Sequence, residues 1–361
     1  MKRISGRGKK RGFLRRDESG QVLVIVALGA VFLIGMAALA VDVSHGLVVR
    51  NELQNAADAS ALAGAGNLFL PSPGPDWARA EGAASASIAW NKSDGKSLVN
   101  CQVQSGYWNL SQSPAGLQPQ GITPGPQDVP AVKVLVRKAD GQNGGPMPTY
   151  FARIFGLNSI PVQAQAVAVV SNPGYVKKGA LLPVAISKEL AERFRDYKDP
   201  AHKFIIGSPY HYPNGLAGQW TSLNEQYDGS NNVPFIRDLI VNGNSQQINV
   251  NTSGTCPGGN PNSDCIYIQP GTKNTVYANE NQPSISQFEG QDVLLPVVDA
   301  ILRDTTHGWA PVSGFVGFHV TKATGGSIKT IEGHFVDGFT APKSGGAGPN
   351  YGALTPIHLV Q

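Results

Sequence analysis

Charged side chains are scarce in this 361-residue sequence, where Lys, Arg, Asp and Glu together make up only 15% of the chain. The net charge is +4, and the basic residues responsible for it are concentrated in the first sixteen positions. The remainder is close to neutral and shows no basic surface that would indicate a nucleic-acid partner. The abundance of Gly (43) and Pro (26) favours short strands and turns over long soluble helices.

Catalytic signatures are also missing. The sequence has no GxSxG, no Walker loop, no HExxH and no GxGxxG after a strand. Asp299, Asp304 and His307 come closest to a metal or acid–base cluster, but charged residues at strand ends and in turns are commoner. His319 and His334 each lie beside a Phe in an expected strand, where they can face each other as structural histidines. We therefore predict no catalytic, cofactor-binding or metal-binding residue.

There are only three cysteines. Cys256 and Cys265 enclose an eight-residue loop rich in Gly, Pro and Asn, whereas Cys101 stands alone. Outside the cytoplasm such a loop favours a Cys256–Cys265 disulfide, which would contribute about 2–3 kcal/mol. Three unrelated thiols are the alternative.

One long stretch lacks charge altogether: residues 22–41. At about 1.5 Å of rise per residue a helix of this length reaches about 30 Å, the thickness of a bilayer's hydrocarbon core. Basic residues precede it and the next one after it is Arg50, so the short tail is expected in the cytoplasm and the body outside. The predicted anchor residues are Val22, Leu23, Val24, Ile25, Val26, Leu28, Val31, Phe32, Leu33, Ile34, Leu39 and Val41.

Two export signals are alternatives to an uncleaved anchor. The basic start, the apolar run and the triplet at residues 38–40 also fit a cleaved secretory signal, but the run is longer than usual and more helix follows. Arg15 and Arg16 could belong to a twin-arginine signal, but Asp17 and Glu18 follow where apolar residues are wanted. We expect an anchor that is kept.

The anchor is predicted to continue as an Ala-rich helical rod over residues 42–66. Leu53, Ala57 and Ala61 fall near helical spacing on one side, and Gly64 and Gly66 supply a stop. Small side chains on one face suit close packing, either on the chain's own domain or on a partner helix. The residues expected to make such contacts are Asp42, Leu53, Gln54, Ala56, Ala57, Asp58 and Ala61.

A family resemblance rests on this same region. Ser19 and Gly20, the uncharged span, the sequence AVDV at 40–43 and the sequence LQNAADASALA at 53–63 follow one another in order. Together they resemble the amino-terminal segment of TadG-like proteins, which belong to the Flp pilus (tight adherence) assembly systems of bacteria. The resemblance implies a component of that machinery.

Two features found among related proteins are absent here. Some TadG-like proteins carry a von Willebrand type A domain with an Asp-x-Ser-x-Ser metal site, and this sequence has no such triplet. TadE-like pseudopilins need a Glu at the fifth position after the processed Gly, but that position is Ile25 counted from Gly20 and Asp17 counted from Gly12. The resemblance therefore implies an unprocessed anchored component, not a pilus subunit.

The expected fold class is α+β, with a single amino-terminal transmembrane helix extended as a rod, a pilin-like α+β region and a β-rich second domain. Helices are predicted over residues 77–90 and 188–197, and strands over 129–136, 160–170, 294–299, 312–320 and 328–336. Residues 357–360 can return as a last strand. The predicted divisions are a basic tail (1–20), a transmembrane helix (21–41), a helical extension (42–66), an α+β exported domain (67–172), a β-rich exported domain (173–345) and a tail (346–361).

These observations predict a single-pass protein of the bacterial cytoplasmic membrane with its body outside the cytoplasm. Its expected partners are the membrane, other pilus-assembly membrane proteins and a second copy of itself through the Ala-rich helix. No cofactor and no nucleic acid are expected. The alternative is a membrane-tethered hydrolase or binding protein that uses the second domain.

Overall fold

The computed structural model describes residues 19–69, 74–194, 204–206, 218–225, 233–256, 264–270, 273–300, 302, 307–327 and 329–361. Its α-helices are α1 (Ser19–Ala65), α2 (Trp77–Ser87), α3 (Lys188–Phe194) and α4 (Val233–Asn242). The strands that precede residue 170 are β1 (Lys92–Ser93), β2 (Lys96–Ser97), β3 (Gln102–Asn109), β4 (Leu117–Gln118), β5 (Asp128–Lys138), β6 (Met147–Pro148), β7 (Ser159–Ile160) and β8 (Val162–Val169).

The later strands complete the topology. They are β9 (Tyr175–Val176), β10 (Val184–Ser187), β11 (Phe204–Ile206), β12 (Gly218–Trp220), β13 (Ile248–Asn249), β14 (Cys265–Ile268), β15 (Gln291–Val298), β16 (Gly308–Thr324), β17 (Thr330–Val336), β18 (Phe339–Thr340), β19 (Ser344–Gly345), β20 (Ala353–Leu354) and β21 (His358–Leu359).

The helix α1 is 47 residues long and unbroken, so it extends over about 70 Å. Its first half is apolar and its second half is rich in alanine, the best helix former. Residues 22–65 form one helix that is long and apolar enough to cross a membrane. The predicted anchor and rod are therefore one continuous element, and its second half packs on a β-rich body.

The body nearest to α1 is a five-stranded antiparallel sheet in the order β21-β8-β5-β3-β4. Alternate residues of β5 and β8, among them Val132, Val134 and Ala166, share a buried cluster with α1 and α2. Asp76 caps α2, since its carboxylate accepts a hydrogen bond of 3.0 Å from the Arg79 amide.

The opposite face of this sheet carries a smaller apolar cluster. Trp108, Val129, Ala131, Val167 and Val169 are buried there, and the carboxyl-terminal residues Ala347 and Val360 pack against them. The sheet therefore has α1 and α2 on one face and the last part of the chain on the other.

A second sheet of seven strands forms the rest of the body, with β11-β17-β16-β15-β10-β12 in order and β14 paired to β16. The pair β10–β15 is parallel and the others are antiparallel. The predicted central strands 294–299, 312–320 and 328–336 correspond to β15, β16 and β17. The helix α4 was not predicted, because it lies in a tract that reads as turns; its Ile236, Leu239 and Ile240 are buried in the large core.

The chain returns to the first sheet at its carboxyl end. His358 and Leu359 of β21 pair with Val169 and Ala168 of β8. The strand expected at residues 357–360 is therefore present, and it adds an edge strand to the sheet that packs on α1. The division at residue 173 into two exported domains stays a prediction.

Candidate functional site: the anchor helix and the body packed on it

The side chains of the first half of α1 are mostly exposed. All twelve predicted anchor residues are exposed, from 48% at Val41 to 72% at Leu23. A side chain added at Gly29 or Gly35 would meet no atom within 4 Å. Exposing this apolar surface to water would be costly, so an apolar environment around it is favoured.

The body first meets the helix at Asp42, directly after this exposed half. The Asp42 side chain is only 4% exposed. Its Oδ1 accepts a hydrogen bond of 2.7 Å from the Tyr150 amide, and its Oδ2 accepts bonds of 3.0 Å from Phe151 and 2.6 Å from Ala152. A buried carboxylate is tolerated only when its oxygens are satisfied, and here three backbone donors do this. We call these three hydrogen bonds the Asp42 clamp.

Further polar contacts lie one to three turns along α1. The His45 ring nitrogen Nε2 lies 3.0 Å from the Asp94 carboxylate, and the Asp94 amide donates a bond of 2.7 Å to Glu52. Gln54 donates to the backbone oxygen of Gln165 at 2.9 Å. The spacing of residues on α1 gave no sign of the His45 and Glu52 contacts, because their partner lies in a short β1–β2 turn.

The small-residue face of the rod is filled by the chain's own body. Leu53, Ala56, Ala57 and Ala61 are fully buried in the cluster formed with β5, β8 and α2. Gln54 also donates a bond of 2.8 Å to Asp58 on the next turn. Of the two partners that the sequence left open for this face, its own domain therefore occupies it. Ala57 and Ala61 are covered by the body, and self-association of the chain through the Ala-rich helix stays a prediction.

Gly64 marks the closest approach of the rod to the body. A Cβ atom placed on it would lie 2.8 Å from Val132 Cγ1 and 3.0 Å from Ala84 Cβ. One turn earlier, the Ser87 hydroxyl of α2 donates to Ser60 at 2.9 Å. The helices α1 and α2 thus cross at backbone distance, which only small residues allow.

The candidate polar residues of the second sheet make fewer contacts than those of α1. Lys188 Nζ lies 3.8 Å from Asp299 Oδ2, and both side chains are well exposed. Asp304 lies outside the described residues. No group of three or more His, Cys, Asp and Glu side chains that could hold a metal occurs within the described ranges.

The two histidines do face each other, as the sequence suggested. His319 and His334 are paired across β16 and β17, with ring centres 4.9 Å apart. His319 Nδ1 lies 2.6 Å from Asp292 Oδ1. Partial burial, and then the neighbouring His319, lower the pKa of His334, while Asp292 opposes this. Within the described residues, the two histidines and Asp292 do not form a group that could hold a metal ion.

Cys256 and Cys265 form a disulfide. Cys101 is the free thiol among the described cysteines, and burial raises its pKa. A thiol of raised pKa is a poor nucleophile. Tyr277 is buried under the second sheet, which raises its pKa to about 12, and its hydroxyl accepts a bond from Trp220. Both groups are structural.

Comparison with known families fits this geometry. Residues 20–67 match a family described as Flp pilus-assembly TadE/G-like, and residues 63–168 match one described as Tad-like Flp pilus-assembly. The first match covers α1, and the second covers α2 and the sheet up to β8. Residues 20–168 are therefore similar throughout to Tad-like Flp pilus-assembly proteins. No curated protein matches the chain. No solved structure matches it either.

The match over residues 20–67 ends two residues after α1, and the match over residues 63–168 ends within β8. Together the two matches cover the helix α1 and the part of the body packed directly on it. The resemblance carried by residues 19–63 is confirmed, and the matched region continues to residue 168 within β8. The family is one of pilus assembly, and no catalytic family is evident.

Proposed function

We propose that this chain is a non-catalytic, membrane-anchored component of the bacterial Flp (Tad) pilus assembly or secretion machinery. Residues 22–41 form its single transmembrane span, its basic tail lies in the cytoplasm, and its body lies outside the cytoplasmic membrane. The positive residues before the span and the disulfide in the body both support this orientation.

The observation that carries the proposal is the continuity of α1. One helix has an exposed apolar half and a half buried in the Tad body. Because the helix is unbroken, the body is held at a fixed height and orientation above the membrane. This is what an assembly component needs, and it requires no active site.

The uncovered span is the surface left for partners within the membrane. Gly29 and Gly35 allow a neighbouring helix to approach closely, because no atom of the described residues lies within 4 Å of a Cβ placed on either glycine. Such a helix can come from another pilus-assembly membrane protein or from a second copy of this chain.

The test is complementation of a strain that lacks the gene. The wild-type gene is expected to restore surface pili, and so is Asp299→Ala, which changes an exposed residue of the second sheet. A version in which a cleavable secretion signal replaces residues 22–41 should export a folded, disulfide-bonded body and fail to restore pili. Mass spectrometry of the membrane-extracted wild type should recover peptides from residues 16–50.

Three results would contradict the proposal. Pili could persist without the gene, the released body could restore them, or the mature chain could begin at residue 41 or residue 13. Loss of function in a stably folded Asp299→Ala protein would instead support a tethered enzyme.

A further inference from the structure

A second apolar surface lies beside the anchor, on residues 147–160, which we call the tip hairpin. The short strands β6 and β7 close its base, and a 3-10 helix, Ala152–Phe155, forms its end. Ile154 is 78% exposed and Phe155 is 84% exposed. The other exposed apolar side chains of the tip hairpin are Tyr150, Phe151, Leu157 and Ile160. So many adjacent apolar groups in water indicate a surface that binds something.

The contacts with α1 show in which direction the tip hairpin points. Met147, at its base, is the nearest side chain to Gly46, at 3.7 Å from a Cβ placed there. Tyr150 and Ala152, further along, are bonded to Asp42. Asp42 precedes Gly46 by one helical turn, about 6 Å along the axis. The tip hairpin therefore runs down the helix toward the apolar span.

Among the hydrogen bonds described between α1 and the body, those of Asp42 lie closest to the amino-terminal end of the helix. Asp42 follows directly on residues 22–41, whose helical length of about 30 Å matches the hydrocarbon core. The end of the tip hairpin, beyond Ala152, therefore lies at the height where the span leaves the hydrocarbon. Its exposed apolar side chains continue the apolar surface of the span.

The tip hairpin is held in this position before any partner binds. Met147 and Pro148 pair with Ile160 and Ser159, and the Thr149 amide donates to Asn158 at 3.1 Å. The Asp42 clamp fixes its end to α1. A preorganised apolar tip loses little conformational entropy on binding.

We propose that the tip hairpin is a second membrane contact, seated in the outer lipid–water interface beside the span. Phe155, Ile154 and Leu157 enter the boundary between headgroups and acyl chains, as apolar residues of interfacial segments do. The exposed Arg153 lies among them and can reach lipid phosphates, while its stem stays in apolar surroundings. Two contacts with one bilayer restrict the tilt and rotation of the body. This inference rests on the proposed anchoring by residues 22–41.

The experiment uses the full chain in liposomes of phosphatidylethanolamine and phosphatidylglycerol. Cys101→Ser removes the free thiol and the disulfide is left intact. A small environment-sensitive fluorophore is attached at Phe155→Cys. Quenching by lipids that carry a nitroxide near the headgroup is compared with quenching by aqueous iodide.

Two other labelled positions serve as references. Val241→Cys replaces an equally apolar, exposed residue at the end of α4, on the second part of the body. Leu33→Cys replaces an exposed residue near the middle of the span. The label at position 155 is expected to be quenched several-fold more by the lipid nitroxide than the label at position 241, and to be shielded from iodide.

The references separate the two ways of failing. A label at position 33 that is open to iodide and untouched by lipid nitroxides would overturn the anchoring itself. Lipid quenching at position 33 with free iodide access at position 155 would overturn only the tip contact. Shielding of position 155 from both quenchers would also overturn it, because a protein surface would then cover the hairpin.

Discussion

At the scale of single residues, Asp42 is the link between the anchor and the body. On an exposed helix surface its carboxylate would be hydrated by water. Here it accepts hydrogen bonds from three backbone amides of the tip hairpin instead. Hydrogen bonds to a charged acceptor are stronger than those between neutral groups. One side chain at the end of the span thus determines where the hairpin lies on α1.

Replacing this carboxylate should release the tip hairpin. In Asp42→Ala, the amides of Tyr150, Phe151 and Ala152 lose their acceptor, so their hydrogen exchange should become much faster, while exchange in β8 stays slow. Hydrogen-exchange mass spectrometry of the detergent-solubilised protein measures both regions.

Asp76→Ala is the matched control for this change. It removes another carboxylate that accepts a backbone hydrogen bond, at a cost of about 1 kcal/mol, but this carboxylate caps the start of α2. Exchange in the tip hairpin should not change in this variant. Equal exchange of the three amides in Asp42→Ala and wild type would show that the clamp does not hold the hairpin.

The partner of Asp42 could not have been predicted from the sequence. Asp42 itself belongs to the family pattern and was expected to make contacts. Its donors are backbone amides 108 to 110 residues away, and a backbone amide has no sequence signature. The nearness of the hairpin's apolar residues to the span depends on the tertiary structure, which no local pattern signals.

At the scale of elements, α1 combines two environments in one helix. The run of exposed apolar residues ends near its middle, and from Val49 onward one face is buried against α2, β5 and β8. The crossing with α2 is tight at Gly64, where the neighbouring atoms belong to Val132, Ala84 and the Ala80 backbone. Helix propensity and packing therefore make opposite demands at this glycine.

At Gly64 we expect the steric cost of an added methyl group to exceed the gain in helix propensity. Gly64→Ala gains up to about 1 kcal/mol of helix propensity, but its methyl group would lie 2.8 Å from Val132, so we expect a net loss of about 1–3 kcal/mol. Gly82→Ala in α2 is the matched control, because nothing lies within 4 Å of its Cβ position, and it should gain about 0.5–1 kcal/mol. Thermal unfolding of both variants in detergent gives the comparison. Stabilisation by Gly64→Ala would mean that the crossing is looser than described.

The elements that could be predicted are those whose pattern is local. The charge-free run and the alanines predicted α1, and alternation of apolar residues predicted β5 and β8. The helix α4 was missed because Gly, Asn and Ser surround it, although Ile236, Leu239 and Ile240 have helical spacing and Pro234 suits a helix start. The pairing of β21 with β8 joins residues 358 and 169, and nothing local signals it.

At the scale of the whole molecule, the carboxyl-terminal segment ties the far part of the chain to the part next to the anchor. The Val360 amide donates to the Val167 carbonyl at 2.9 Å, and the Val167 amide donates to the Gln361 carbonyl at 2.8 Å. Val360 also packs on the cluster around Trp108. The sheet that packs on α1 is therefore completed by residues that come after the whole second sheet.

This closure predicts that a change near the end of the chain weakens the sheet beside the anchor. Val360→Asp places a charge against Trp108 and Val167, where no basic partner is described, and should cost about 1–3 kcal/mol. Leu359→Asp is the matched control, because Leu359 is exposed and the change should cost no more than about 0.5 kcal/mol. Hydrogen exchange at Val167 should rise in the first variant only, with a lower unfolding temperature. If both variants behave alike, the carboxyl-terminal segment does not stabilise this sheet, and residues 20–168 would hold their fold without it.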